Sequence, residues 1–178
     1  KLKRQTMETL KSVIRDIPDF PKEGIIFKDI TPLLSNPVSF KKVIDTLKTR
    51  YKDKRIDQVV GVEARGFVFA SALAYALDCG VVMVRKPGKL PYKTFQETYS
   101  LEYGEDSVEI HQDAFEKGQN VVIIDDVLAT GGTLAACIDL VNKNFEVNLI
   151  EVGFLIELDF LKGRQKLGNV SIYSMMHF

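Results

Sequence analysis

Two adjacent carboxylates, Asp125 and Asp126, followed after Val127 and Leu128 by the small-residue loop Ala129-Thr130-Gly131-Gly132-Thr133, form the stretch best equipped for chemistry. The loop can turn main-chain N–H groups toward one point, where the unpaired donors and dipole of a following helix favour a phosphate. Carboxylates repel a phosphate, so Asp125 and Asp126 suit sugar hydroxyls or a Mg²⁺ ion carried by an anionic substrate. In chain order the residues therefore spell hydroxyl or metal binding, then phosphate binding. A plainer reading makes Asp125-Asp126 a strand end and Thr133 a helix N-cap. A P-loop is excluded, because no Gly-Lys-Ser/Thr follows the glycines.

The elements that must position these groups are legible around them. Val121–Ile124 is a short apolar, β-branched run and reads as a buried strand; a helix is expected from Thr133 to Asn142. Upstream, strands are expected at Gln58–Val62 and Val81–Val84, a helix at Gly66–Leu77, and a further strand at Glu146–Ile156. Pro37 opens a helix to about Tyr51, with Phe40, Val43, Ile44 and Leu47 on one face. This alternation predicts an α/β fold, a mostly parallel sheet flanked by helices. Such sheets bind ligands beyond the carboxyl ends of their strands, and both Glu63-Ala64-Arg65-Gly66 and Asp125-Asp126 fall there.

Two segments depart from the rhythm. Residues 1–34 are expected to form a small N-terminal hood: Met7, Leu10, Val13, Ile14 and Ile17 space a helix over 6–16, and Ile25–Phe27 reads as a short strand among Pro21, Gly24 and Pro32. Residues 35–178 form the core, interrupted at about 86–107 by a long, basic, proline-bearing stretch that reads as a flexible lid or hairpin. His111 lies in a strand-like alternation and His177 near a terminus expected to fray; neither is given a role.

Composition bounds the possibilities. The chain has 178 residues, 46% hydrophobic and 27% charged, enough for one sizeable core. Its 24 basic and 24 acidic side chains cancel, so no overall field attracts nucleic acid or an anionic membrane. Cys79 and Cys137 suit free thiols in a reducing compartment, and no apolar stretch is long enough to cross a bilayer or to read as a signal peptide, so a cytoplasmic location is expected.

Taken together, the motifs resemble the type I phosphoribosyltransferase family across nearly the whole chain. Val121 to Thr133 is similar to that family's phosphoribosyl pyrophosphate (PRPP) motif, while Phe20–Pro32, Gly61–Phe67, Arg85–Pro91 and Tyr99–Gly104 resemble its adenine-using branch. The resemblance implies displacement of pyrophosphate from C1 of PRPP by N9 of adenine to give AMP, with Mg²⁺ escorting the pyrophosphate, in a homodimer. It implies that Ala129, Thr130, Gly131, Gly132 and Thr133 hold the 5-phosphate, and that Asp125 and Asp126 hold the ribose hydroxyls or the metal. Glu63, Ala64, Arg65, Arg85 and Lys89 would meet pyrophosphate, with a cis bond at Glu63-Ala64, and Arg65 and Lys89 would act catalytically. Ile26, Phe27, Lys28 and Leu128 would contact adenine, Phe27 by stacking and Leu128 as the apolar floor, and Glu102 would manage the base proton. Lys28 stands where the family often has Arg, and a lysine lacks the guanidinium's paired donors. Other purines as substrates, or a non-catalytic PRPP-binding regulator, are the alternatives; the latter would want a DNA-binding appendage that residues 1–20 do not offer.

Overall fold

The computed structural model describes residues 8–101 and 104–178. The chain divides into two compact units, Lys1–Leu47 and Lys48–Phe178.

In the first unit, residues 8–11 are helical, and the expected helix does not continue to residue 16. Strand β1 (Arg15–Pro18) takes over and pairs antiparallel with β2 (Ile26–Asp29), so Ile17 faces Phe27 across the ladder. Cross-strand side chains explain the override: Arg15 donates to Asp29 at 2.6 Å and Lys28 to Asp16 at 2.7 Å. Asp29 also accepts from the Thr31 N–H at 2.9 Å and opens the short helix α1 (Thr31–Ser35). Helix α2 (Pro37–Tyr51) runs over the expected span. Asn36 Oδ1 accepts from the Val38 and Ser39 N–H groups at 3.0 and 2.9 Å, and Pro37 needs no partner at that position.

The second unit is built on a five-stranded sheet of order β4-β3-β7-β8-β9. Its strands are β3 (Gln58–Val62), β4 (Gly80–Val84), β7 (Asn120–Leu128), β8 (Asn148–Glu157) and β9 (Ile172–His177), and every pairing is parallel. Helices α3 (Gly66–Leu77) and α4 (Gly132–Asn144) follow β3 and β7. The apolar runs are buried as fully parallel sheets require: Val59, Val60 and Val121–Ile123 are 0% exposed and Ile124 is 1%. From β3 the chain passes outward to β4, and from β7 it passes the other way to β8 and β9. The strand order therefore reverses between β3 and β7, and their carboxyl ends flank the crevice where such sheets take ligands.

Two expectations change here, and the basic stretch contains the hairpin expected of it. Strand β7 continues through both aspartates to Leu128, because β8 is long enough to pair with it up to Leu128–Glu157. Strand β9 carried no sequence signal strong enough to expect it, and it ends at His177. That residue is therefore a strand position whose Nδ1 lies 2.9 Å from Asp159, and its fraying is not observed. The basic stretch after β4 becomes a strap followed by the antiparallel hairpin β5 (Thr94–Ser100) and β6 (Glu105–His111). The hairpin is docked on α4: Phe95 meets Phe145 at 5.5 Å between ring centres, and Lys143 donates to Glu97 at 2.6 Å.

Candidate active site

The loop after β3 and the carboxylates of β7 meet. Arg65 Nε lies 2.7 Å from Asp126 Oδ2, so the two loops that the sequence placed at the same sheet end share one site. The contact is ionic and not a directed hydrogen bond, and Asp126 Oδ2 remains a buried acceptor without a donor. A buried acceptor of this kind fits a sugar hydroxyl. Gly66 lets the start of α3 press on Asp125, since a Cβ there would lie 2.7 Å from Asp125 Oδ1. Burial pushes the Asp125 carboxyl well above the ordinary carboxylate range, with the Asp126 charge adding to it. Burial raises Asp126 too, although Arg65 works against that rise. A pair of crowded carboxylates in a low-dielectric site gains from any positive charge that develops beside it.

The small-residue loop turns as its composition predicts, one residue earlier than expected. Gly131 takes φ 83° and caps α4, which begins at Gly132, so Thr133 lies in the first turn and is not the N-cap. No side chain caps this helix and no acidic residue stands in its first turn, which leaves its N-terminal N–H groups for an anion. The loop is braced from behind by the β8–β9 connection. A Cβ on Gly131 would lie 2.5 Å from the Gly163 carbonyl oxygen, and one on Gly163 would strike the carbonyl of Ala129.

From the front it is braced by the hairpin. Thr133 Oγ1 donates to the Tyr99 hydroxyl at 3.0 Å, Tyr99 donates to Asp106 Oδ2 at 3.1 Å, and Lys86 Nζ donates to Tyr99 at 3.0 Å and also to Asp106. Neither Gly163 nor the Tyr99 hydroxyl was reached by sequence reasoning. Tyr99 stood inside a quoted motif, but its partner Thr133 is 34 residues away.

The strap supplies cations. Lys89 Nζ donates to Glu63 Oε1 at 2.7 Å, Arg85 Nη2 to the same oxygen at 3.1 Å, and the Lys86 N–H to Glu63 Oε2 at 2.9 Å. Burial alone would raise Glu63, but the hydrogen bonds from Lys89, the Lys86 amide and Arg85 outweigh it and bring its carboxyl down to about 2. The Glu63-Ala64 peptide is cis, as expected. Glu63, Ala64 and Arg65 thus stand between Arg85 and Lys89 on one side and Asp126 on the other.

Leu128, expected as an apolar floor, is 0% exposed and belongs to the hydrophobic cluster of the second unit. Glu102 lies outside the described residues. In the first unit Ile26 is exposed and Phe27 half-buried, the latter edge-to-face with Phe20 at 5.3 Å. The Lys28 ammonium is engaged by Asp16. His111 accepts the Tyr92 N–H at 3.3 Å.

The Phosphoribosyl transferase domain family matches residues 29–172. Adenine phosphoribosyltransferase of Geotalea daltonii is 58% identical over 172 residues, covering 97% of this chain and 100% of that protein. The chain belongs to the adenine phosphoribosyltransferase family. A second member of that family, from Syntrophotalea carbinolica, is 57% identical over the same shares. Among solved structures, the adenine phosphoribosyltransferase of Rhodothermus marinus superposes with a TM-score of 0.92 at 46% identity, covering 98% of this chain and 99% of that one. The Saccharomyces cerevisiae adenine phosphoribosyltransferase, solved with an imino-altritol bisphosphate and adenine, gives 0.92 at 45% identity, covering 97% and 99%. The parallel sheet, its switch point and the β7–α4 loop are those of a type I phosphoribosyltransferase.

Proposed function

We propose that this enzyme transfers the 5-phosphoribosyl group of PRPP to N9 of adenine, releasing AMP and pyrophosphate in purine salvage. The observation that carries the reading is the 2.7 Å contact of Arg65 with Asp126, which joins a cation for the leaving group to a carboxylate for the sugar. Ala129, Thr130, Gly131, Gly132 and Thr133 receive the 5-phosphate on N–H groups and hydroxyls. Asp125 and Asp126 take the ribose hydroxyls, and Asp126 Oδ2, which accepts no hydrogen bond within the protein, is the acceptor best suited to them. As pyrophosphate leaves C1 the sugar becomes cationic, and the crowded carboxylates stabilise that charge more than they stabilise the ground state. Arg65, Arg85 and Lys89 take up the negative charge on the departing oxygens, with the Glu63-Ala64 turn at their centre.

Mg²⁺ fits this site as a partner of the substrate, with an Asp125 or Asp126 oxygen as its protein ligand. When bound it neutralises pyrophosphate charge. For the base, the reading assigns Phe27 to stacking, the Ile26 and Lys28 backbones to the ring edge, and Glu102 to the proton near N7. A homodimer is supported by an apolar face on α3 and the edge strand β4, where Val68, Tyr75, Val81 and Met83 are 41, 90, 44 and 47% exposed. Two free cysteines support a cytoplasmic setting.

The test is incubation with PRPP, Mg²⁺ and a panel of purines and pyrimidines, with nucleotides resolved by chromatography. AMP from adenine alone is expected. IMP or GMP formed at comparable rates, or no nucleotide at all, overturns the reading.

A further inference from the structure

The side chain of Glu63 sits where an anionic ligand of the strap would sit. Its two oxygens collect three donors, Lys89 Nζ, Arg85 Nη2 and the Lys86 N–H, at 2.7, 3.1 and 2.9 Å. That is the donor set of an oxyanion site, with two cations and a main-chain amide converging on one group. The strap holding these donors is itself fixed: the Arg85 N–H and the Glu109 N–H exchange backbone hydrogen bonds at 3.0 and 2.8 Å, and the Gly88 N–H donates to the Glu109 carboxylate at 3.2 Å. The strap backbone, and with it the Lys86 N–H, is therefore held in place independently of Glu63. Arg85 Nε is, in addition, a buried donor without an acceptor, so the site offers more donors than the carboxylate uses. The side chain of Glu63 is 11% exposed and that of Lys89 49%, so the pair lies at the mouth of the site.

We propose that the Glu63 carboxylate is an internal anion that occupies the strap's cation site and must be exchanged for a phosphate group of the pyrophosphoryl moiety, competing with that ligand. The inference rests on the assignment of Arg85 and Lys89 to pyrophosphate. Two consequences follow from the exchange. Long cationic side chains are held ordered before they meet the ligand, which lowers the entropic cost of engaging them. The same carboxylate stands ready to retake its donors when pyrophosphate departs, which assists release of a highly charged product. Glu63 is thereby a positioning residue, acting through Arg85 and Lys89.

Calorimetric titration of the full chain with inorganic pyrophosphate in the presence of Mg²⁺ tests this. A carboxylate that holds its donors nine-tenths of the time raises the apparent Kd roughly tenfold, so Glu63→Gln is expected to bind pyrophosphate roughly tenfold more tightly than the unaltered protein. Product inhibition by pyrophosphate should strengthen in step, while KM for adenine stays in place. A purely structural part for Glu63 predicts the opposite, so unchanged or weaker binding by a folded Glu63→Gln protein overturns the inference. If that variant does not fold, Glu63→Asp keeps the charge but draws it back by one methylene, and a smaller tightening is expected; no tightening again overturns the inference. Failure of the unaltered protein to bind pyrophosphate removes the Arg85 and Lys89 assignment as well, which separates the two failures.

Discussion

Replacing Gly163 by Ala adds one carbon behind the small-residue loop, and its effect should be felt at the 5-phosphate. The added Cβ would lie 3.0 Å from the Ala129 carbonyl carbon and 3.1 Å from the Gly131 nitrogen, with the Ala129 oxygen closer still. An ordinary C···O approach requires the two backbones to separate by about 1 Å. Neither side yields freely. On one side the Leu158 N–H donates to the Leu128 carbonyl at 3.0 Å, and α4 begins directly after the loop. On the other, Arg164 grips Glu157 through two hydrogen bonds of 3.0 and 2.6 Å, and Leu167 is 3% exposed. Overpacking of this kind costs about 1–3 kcal/mol, which for a chain of this size lowers Tm by roughly 2–12 °C. A displacement near 1 Å in a group that positions substrate can cost ~10²-fold in rate. We therefore expect kcat/KM for PRPP to fall by ~10²-fold at saturating adenine, with KM for adenine little changed. Gly168→Ala is the control: it lies on the same connection with φ 68° but has no atom within 4 Å of the added carbon, so it should lower Tm alone. Initial-rate kinetics with each substrate varied, beside thermal melts followed by circular dichroism, separate the effects. A folded Gly163→Ala protein with unchanged kcat/KM for PRPP would refute the bracing role of this contact, as would equal kinetic changes in both variants.

Replacing Asp125 and Asp126 together by Asn should reduce kcat/KM for PRPP by at least ~10²-fold, and the same change should raise Tm measured without PRPP at neutral pH. The sign follows from the raised carboxyls: a group whose folded pKa exceeds its unfolded value favours the fold at low pH and loses that contribution as pH rises through the folded value. The gain in Tm should accordingly shrink on acidification, and a fall in Tm at neutral pH would contradict it. Tyr99→Phe removes the hydroxyl that ties Thr133 to Asp106 and Lys86, a loss of about 1 kcal/mol, or roughly fivefold in KM for PRPP; an equal rise in KM for adenine would show that the hydroxyl does not act through the phosphate loop. Glu151 is 1% exposed and held by Arg50 at 2.5 and 2.6 Å and by Ser171 at 2.9 Å, so Glu151→Ala leaves a half-buried guanidinium and a hydroxyl without their acceptor and should cost about 1–3 kcal/mol. The double change Arg50→Met with Glu151→Leu should recover much of that loss in calorimetric melts, and a double variant no better than the single one would count against the pair as the cause.

What the chain's sequence determined by itself is local. The β-branched runs at 58–62 and 121–124 specify buried strands, Asn36-Pro37 specifies where α2 begins, and the Gly131-Gly132 pair specifies a turn that ends in a helix N-terminus. Each depends on neighbours within a few residues, and each appeared close to where periodicity and capping placed it. Local signals competed less well at the N-terminus, where a helical stripe over 6–16 yielded to the pairing of β1 with β2. They were silent about β9, a partner that only the edge of β8 selects. The site itself is a product of sheet order. Arg65 meets Asp126, Tyr99 meets Thr133 and Gly163 fits under Ala129 because β3 and β7 lie side by side and β8 leads back past the loop, an arrangement that no local spacing encodes. Residue types named the chemistry, and long-range backbone pairing decided which charges would face each other, because side-chain contacts between distant segments exist only once the strands have taken their neighbours.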